Sequence, residues 1–278
     1  MRVFIVTVGI CVIFAGLAIL VGRRSESAIL EFASNRTGTS RVYLMDSRHP
    51  RLLLIQPAER FVPSSNFLCP NINQWQGIAT YQAYPYAAQY QPIFPIYSQN
   101  QTQILFESAL DGNFDIYLLN TTTLQLVNLT DANGETGYQV CPIWSPDESQ
   151  ILFMSRINGD FDIIRLDVET GEQINLTDHE GTDSEYAWSP DGTHIVFTSF
   201  RDGDGEIFVM DADGGNLHRL TARTGSDFAP VWSPDGTHIA FSSRRSGNPE
   251  IYIMNDRGGD VRRLTTHPNS DYAPFWVK

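Results

Sequence analysis

The chain has 278 residues, 42% of them apolar, with 19 Lys and Arg against 32 Asp and Glu for a net charge of -13. That apolar share excludes a generally disordered chain and suffices for one large domain or two modest ones. The acidic balance repels phosphate backbones and argues against a nucleic-acid partner.

The first element in chain order is an uncharged apolar run, VFIVTVGICVIFAGLAILVG, at residues 3–22. A run of this length crosses a bilayer as a helix, and no other stretch of the chain could do so. Residues 1–24 are therefore read as a membrane anchor. A cleaved signal segment is the other reading: its apolar region is usually shorter, but Ser25 and Ser27 supply small residues for cleavage. Arg2 on one flank and Arg23 with Arg24 on the other leave orientation open, and read literally slightly favour a cytoplasmic C-terminus. Cys11 follows the bulky Ile10, which argues against a lipid-modified cysteine and for an apolar filler.

From residue 28 onward the chain repeats itself. Phe32, Phe106, Phe153, Phe197 and Phe241 superpose without gaps over the next 23 positions. Two residues later stand Ser34, Ser108, Ser155, Ser199 and Ser243, and six later stand Gly38, Gly112, Gly159, Gly203 and Gly247. Each unit carries two runs of β-branched or aromatic residues around a Gly-containing turn, as in FMSRINGDFDII, which is a hairpin signal. A second turn lies in segments such as DADGG (211–215) and a third in SPDG, where Pro presets one dihedral and Gly accepts a positive φ. Four short antiparallel strands in a repeat of about 44 residues define the blade of a β-propeller.

Three features refine that picture. Trp144, Trp188, Trp232 and Trp276 recur on the first strand of successive units, where a large ring fills the wedge between blades. The last residues, DYAPFWVK, are a first strand with nothing after it, while residues 29–46 are second and third strands with no first strand before them. The two fragments complement one another, so the C-terminal strand is expected to close the ring on the N-terminal blade and remove an exposed edge. Between Ile55 and Pro95 lie about thirty residues beyond what a blade junction needs, rich in Tyr, Gln and Pro. Within them CPNINQWQGIATY (69–81) loosely matches CPIWSPDESQILF (141–153), which reads as a shortened sixth blade or as a long loop across a five-bladed ring.

The segment WSPDGTHIVFTSFRDGDGEIFVMDADGGNLHRLT resembles the TolB-type propeller repeat. The match covers residues 103–278 well and 30–56 weakly. The resemblance implies an all-β propeller that works by binding partner proteins, as periplasmic TolB does with six blades, although related propellers accompany prolyl-oligopeptidase-like enzymes. A membrane segment stands where TolB carries an α/β domain, so the resemblance implies fold and binding, not a role in the Tol system.

Signals for chemistry are few. There is no G-x-S-x-G nucleophile elbow and no H-E-x-x-H metalloprotease pair, and the six His are scattered. The Asp-rich turns at 202–206 and 211–215 do not continue to the Glu an EF-type calcium loop needs. The sequons at Asn128 and Asn175 fall on the repeated fourth strand and carry no glycosylation claim. Asp183, Asp227 and Asp271 hold one repeat position, five residues before Trp188, Trp232 and Trp276, where the first strand enters. They are expected either to cap their own loops through backbone N–H groups or to ring one mouth of the axial channel as a polar funnel. His179, Arg223 and His267 stand on the same loops and make that mouth mixed in charge. Cys69 and Cys141 each precede a Pro and could pair outside the cytoplasm.

The sequence thus describes residues 28–278 as a membrane-tethered, extracytoplasmic propeller that binds a protein or peptide partner without a cofactor or catalysis. A glycan- or peptide-processing enzyme with a channel site and a purely structural scaffold are the alternatives. Oligomeric state is not legible.

Overall fold

The computed structural model describes the backbone of strands 29–34, 41–46 and 52–54, and then residues 93–277 except 111, 131–137 and 158. The expected membrane helix at 3–22 and shortened blade at 69–81 lie outside these residues. Among the described residues no helix is long and apolar enough to cross a membrane.

The described chain forms five four-stranded antiparallel sheets. The second holds β4 (Ile93–Tyr97), β5 (Gln103–Ser108), β6 (Asp115–Asn120) and β7 (Leu126–Asn128) in sequence order. The third holds β8 (Gln139–Trp144), β9 (Gln150–Ile157), β10 (Asp160–Asp167) and β11 (Gln173–Asn175). The fourth holds β12 (Asp183–Trp188), β13 (His194–Ser199), β14 (Glu206–Asp211) and β15 (His218–Arg219). The fifth holds β16 (Asp227–Trp232), β17 (His238–Ser243), β18 (Glu250–Asn255) and β19 (Arg262–Arg263). The first sheet joins β1 (Ile29–Ser34), β2 (Arg41–Asp46) and β3 (Leu52–Leu54) to the C-terminal β20 (Asp271–Val277), in the order β20-β1-β2-β3. Leu30 stands opposite Trp276 and Ser34 opposite Asp271, so the last strand supplies the first strand that the N-terminal hairpin lacks.

The first strands of successive sheets lie against one another, β12 on β16 and β16 on β20, so these strands converge and the sheets fan outward. The core sits between sheets. Ile195 and Phe197 join Leu152 and Met154 of the sheet before, whereas Val196 joins Ile239 and Phe241 of the sheet after. Alternate side chains of one strand thus serve two interfaces, which is why these strands are apolar on both faces. Each indole is packed with the preceding sheet: Trp144 with Leu105 and Leu118, Trp188 with Leu152, and Trp276 with Val231 and Ile253.

The repeated polar letters build turns and fasten strands. In the Ser-Pro-Asp turns the Ser hydroxyl donates to the Asp carboxylate at 2.6 Å in three copies, Ser145 to Asp147, Ser189 to Asp191 and Ser233 to Asp235. The Thr that ends each L-T pair accepts an N–H from the third strand, as Thr130 does from Ile116 at 3.0 Å and Thr221 from Ile207 at 2.9 Å. The same hydroxyl donates to the acid that opens the third strand, Thr130 to Asp115 and Thr265 to Glu250. That acid takes a second partner of matching reach, Asn128 for Asp115 but Arg219 for Glu206 and Arg263 for Glu250, while Asn175 donates to Asp162 at the matching place within β10. The Asn128 and Asn175 side chains are therefore framework bonds.

Candidate functional site

Each first strand carries a bulge. Cys141, Glu185, Ala229 and Ala273 occupy the same repeat position with φ between 52° and 60°, and the ladder slips there, between Val140 and Ile143 and at the matching places. A bulge leaves one residue out of the ladder. At three of these the exposed N–H is accepted by a side chain of the preceding sheet: Cys141 by Glu107 at 2.7 Å, Ala229 by Glu185 at 2.8 Å, and Ala273 by Ser242 at 2.9 Å. These bonds tie neighbouring sheets at their converging edges.

Two of the three acceptors are carboxylates, and among the described residues no cation forms an ion pair with either. Glu107 is 4% exposed, and burial raises its pKa to about 7 against the lowering effect of the Cys141 N–H. Burial likewise raises Glu185, although Ala229 N–H and the Thr198 hydroxyl both donate to it. Beside Glu107 the Tyr186 hydroxyl donates to the carbonyl of Cys141, and burial followed by the charge of Glu107 pushes that phenol up.

The loop entering each first strand is pulled close to the turn between the second and third strands. At Gly181, with φ +102°, an added Cβ would lie 2.9 Å from Arg201 Cα, and at Gly225 it would lie 3.0 Å from the Arg244 carbonyl carbon. That approach sets Asp183 against Arg201 at 3.3 Å and Asp227 against Arg245 at 2.5 Å. The guanidinium of Arg201 lies 4.7 Å from the Phe208 ring centroid, and that of Arg245 lies 4.9 Å from the Tyr252 centroid. Burial raises the Asp183 pKa, with Ser199 and Arg201 opposing.

Asp183, Asp227 and Asp271 are all 0% exposed. Of the two readings of these carboxylates, their burial fits the one in which they hold their own loops better than the polar funnel. For Asp183 and Asp227 the physical reason is the arginine four residues after the repeated Phe, Arg201 after Phe197 and Arg245 after Phe241. The sequence carried this signal, because the third unit has Gln139 in place of the Asp and Ile157 in place of the Arg. His179 and Arg223 stand exposed on the entering loops, while His267 is half-buried and donates its backbone N–H to Glu250 at 2.7 Å. Cys141 is buried and disulfide-bonded; Cys69, its expected partner, lies outside the described residues.

The same loop face carries apolar groups that the repeat pattern does not single out. Leu110, Tyr138 and Phe200 are 41%, 42% and 39% exposed. Tyr138 meets Phe114 at 4.8 Å and Phe161 at 6.0 Å between ring centroids, bridging the second and third sheets. Among the described residues no group of three or more His, Cys, Asp or Glu is arranged to hold a metal ion.

Four-stranded antiparallel blades with converging first strands place the molecule in the β-propeller class. Residues 139–278 match the family described as the TolB beta propeller domain, and the chain belongs to that family. No curated protein matches the sequence. Among solved structures it is similar to a protein assigned as a TolB from Agrobacterium tumefaciens, at 21% identity over 91% of this chain and 98% of that one, with a TM-score of 0.55. It is also similar to TolB from Acinetobacter baumannii, at 18% identity over 90% of this chain and 66% of that one, with a TM-score of 0.62. The tricorn protease gives a TM-score of 0.53 at 11% identity over 82% of this chain and 28% of that one. These are likenesses of fold.

Two outcomes follow. Arg245→Ala, which strands the buried Asp227, should cost about 3–5 kcal/mol in denaturant unfolding, whereas Asp227→Gln with Arg245→Ile, which copies the third sheet, should recover most of it. Because the folded pKa of Glu107 lies above its ordinary 4.5, its contribution is fully present below pH 4.5 and is lost as pH rises through about 7. The stability difference between wild type and Glu107→Gln should therefore shift against wild type by up to about 3 kcal/mol across that window, read from unfolding midpoints at several pH values.

Proposed function

We propose that this chain is a non-catalytic propeller ring, closed by β20, that binds a protein partner on the face formed by the loops entering the first strands. The observation that carries the proposal is the exposed apolar set Leu110, Tyr138 and Phe200, backed by the Phe114–Tyr138–Phe161 ring cluster, on that one face. Exposed aromatic groups rimmed by polar ones are the composition of a protein-binding patch, and His179, Arg223 and His267 supply the rim. In this reading Asp183, Asp227 and Asp271 act from beneath, fixing the loops that present the patch.

Membership of the TolB beta propeller family supports partner binding and an extracytoplasmic setting, as does the disulfide at Cys141, which suits an oxidising compartment. Residues 3–22 would tether the ring to the membrane.

The test is capture of envelope proteins by the full chain, beside Tyr138→Asp with Phe200→Asp. The double variant should reduce capture by about tenfold or more with its unfolding midpoint nearly unchanged, since exposed substitutions rarely shift stability by more than about 0.5 kcal/mol. Undiminished capture by a folded double variant would remove this face from the account.

A further inference from the structure

On the opposite face, which carries the SPDG turns and the turns between third and fourth strands, neighbouring sheets are tied across by a side chain at two junctions. Between the second and third sheets Gln99 donates its side-chain amide to Pro146 O at 2.8 Å and its backbone N–H to the Glu148 carboxylate. Between the third and fourth, Arg165 on β10 donates Nη1 to Ala212 O at 2.8 Å. One repeat further on, Val209 replaces Arg165 and Asp256 replaces Ala212. Among the described residues no hydrogen bond spans this edge of the fourth and fifth sheets, and the carbonyl of Asp256 accepts none. A cleft of about 630 Å³ opens there instead, lined by Trp232, Val209, Asp191, Asp235, Asp256 and His194.

We propose that this cleft receives an arginine side chain presented by a partner protein. The strongest argument is internal: at the neighbouring junction the chain's own Arg165 guanidinium bonds the equivalent carbonyl. The fourth and fifth sheets keep that carbonyl and the tryptophan of the repeat but lose the arginine. Trp232 is half-buried, so part of it is open to a ligand, and the His194 ring lies 6.4 Å away from it. A guanidinium stacks on an indole and donates through a planar fork, which a lysine ammonium cannot copy. Charge agrees: the lining holds three carboxylates, Asp191, Asp235 and Asp256, against one arginine, Arg257, and the imidazoles of His194 and His218. The site lies on the face away from the apolar patch proposed above and does not depend on it.

The experiment titrates the full chain with the peptide acetyl-Gly-Arg-Gly-amide and with its citrulline twin, which keeps the shape and drops the charge, following tryptophan indole resonances. Trp232 should shift saturably with the arginine peptide and bind the citrulline peptide about tenfold more weakly or worse. Val209→Arg should fill the cleft from within and abolish the shift. Arg165→Val should open the neighbouring site, so that Trp188 shifts as well as Trp232. No saturable shift at Trp232, equal binding of both peptides, or a shift that persists in folded Val209→Arg would overturn the proposal. Because the readout is a peptide on one face, its failure leaves capture on the loop face untouched, and the reverse holds too.

Discussion

The pairing of β20 with β1 is the constraint on which the rest of the architecture leans. Without it the N-terminal hairpin is an open sheet edge, and Trp276, packed on Val231 and Ile253, loses the strand that holds it. Sheets that share every apolar interface with a neighbour have no independent core, so a break at one seam exposes one interface of each flanking sheet. The β20–β1 pairing therefore bears directly on the fifth sheet, against which β20 packs.

The described strands also carry a set of buried acids. Acids stand at three kinds of position, and each solves a different backbone or loop problem. Asp183 and Asp227 neutralise arginines that lie on aromatic rings; Glu206 and Glu250 anchor the L-T threonines; Glu107 and Glu185 accept bulge N–H groups from the next sheet. A buried ion pair adds little net stability compared with an apolar substitute, but stranding either partner is costly. The third sheet, with Gln139 and Ile157, shows the neutral alternative within the same chain. What the acids add is definition of loop geometry on the face where binding is proposed.

Much of this was legible in the letters. The spacing of Phe, Ser, Gly and Trp gave the blades, and the complementary fragments at the two ends gave the β20–β1 sheet, because period and turn chemistry are local properties. The site was less legible for a physical reason. Asp183 looks like a surface carboxylate until its partner is known, and that partner, Arg201, lies 18 residues away in the turn that follows β13. Glu107 and Glu185 occupy different repeat positions, so no aligned column reveals that they do the same work. The exposure of Tyr138 and Phe200 follows from loop shape, which the repeat does not dictate. The cleft at Trp232 coincides with an Arg-to-Val difference between units, visible in sequence but without meaning until Arg165 is seen to reach Ala212.

A ring that holds its loops with buried polar contacts and carries exposed aromatic groups on its loop face is built for recognition, provided it closes. The most direct test is a cysteine pair at Glu31 and Phe275, which stand opposite in the β1–β20 ladder. Directly opposed residues in an antiparallel pair lie within the reach of a disulfide, about 4.4–6.8 Å between Cα atoms. Under mild oxidation the pair should cross-link within one molecule and raise stability by as much as about 5 kcal/mol, given the length of chain enclosed. Cysteines that stay reduced, or that link only between molecules, would contradict the closed ring and the recognition face that depends on it.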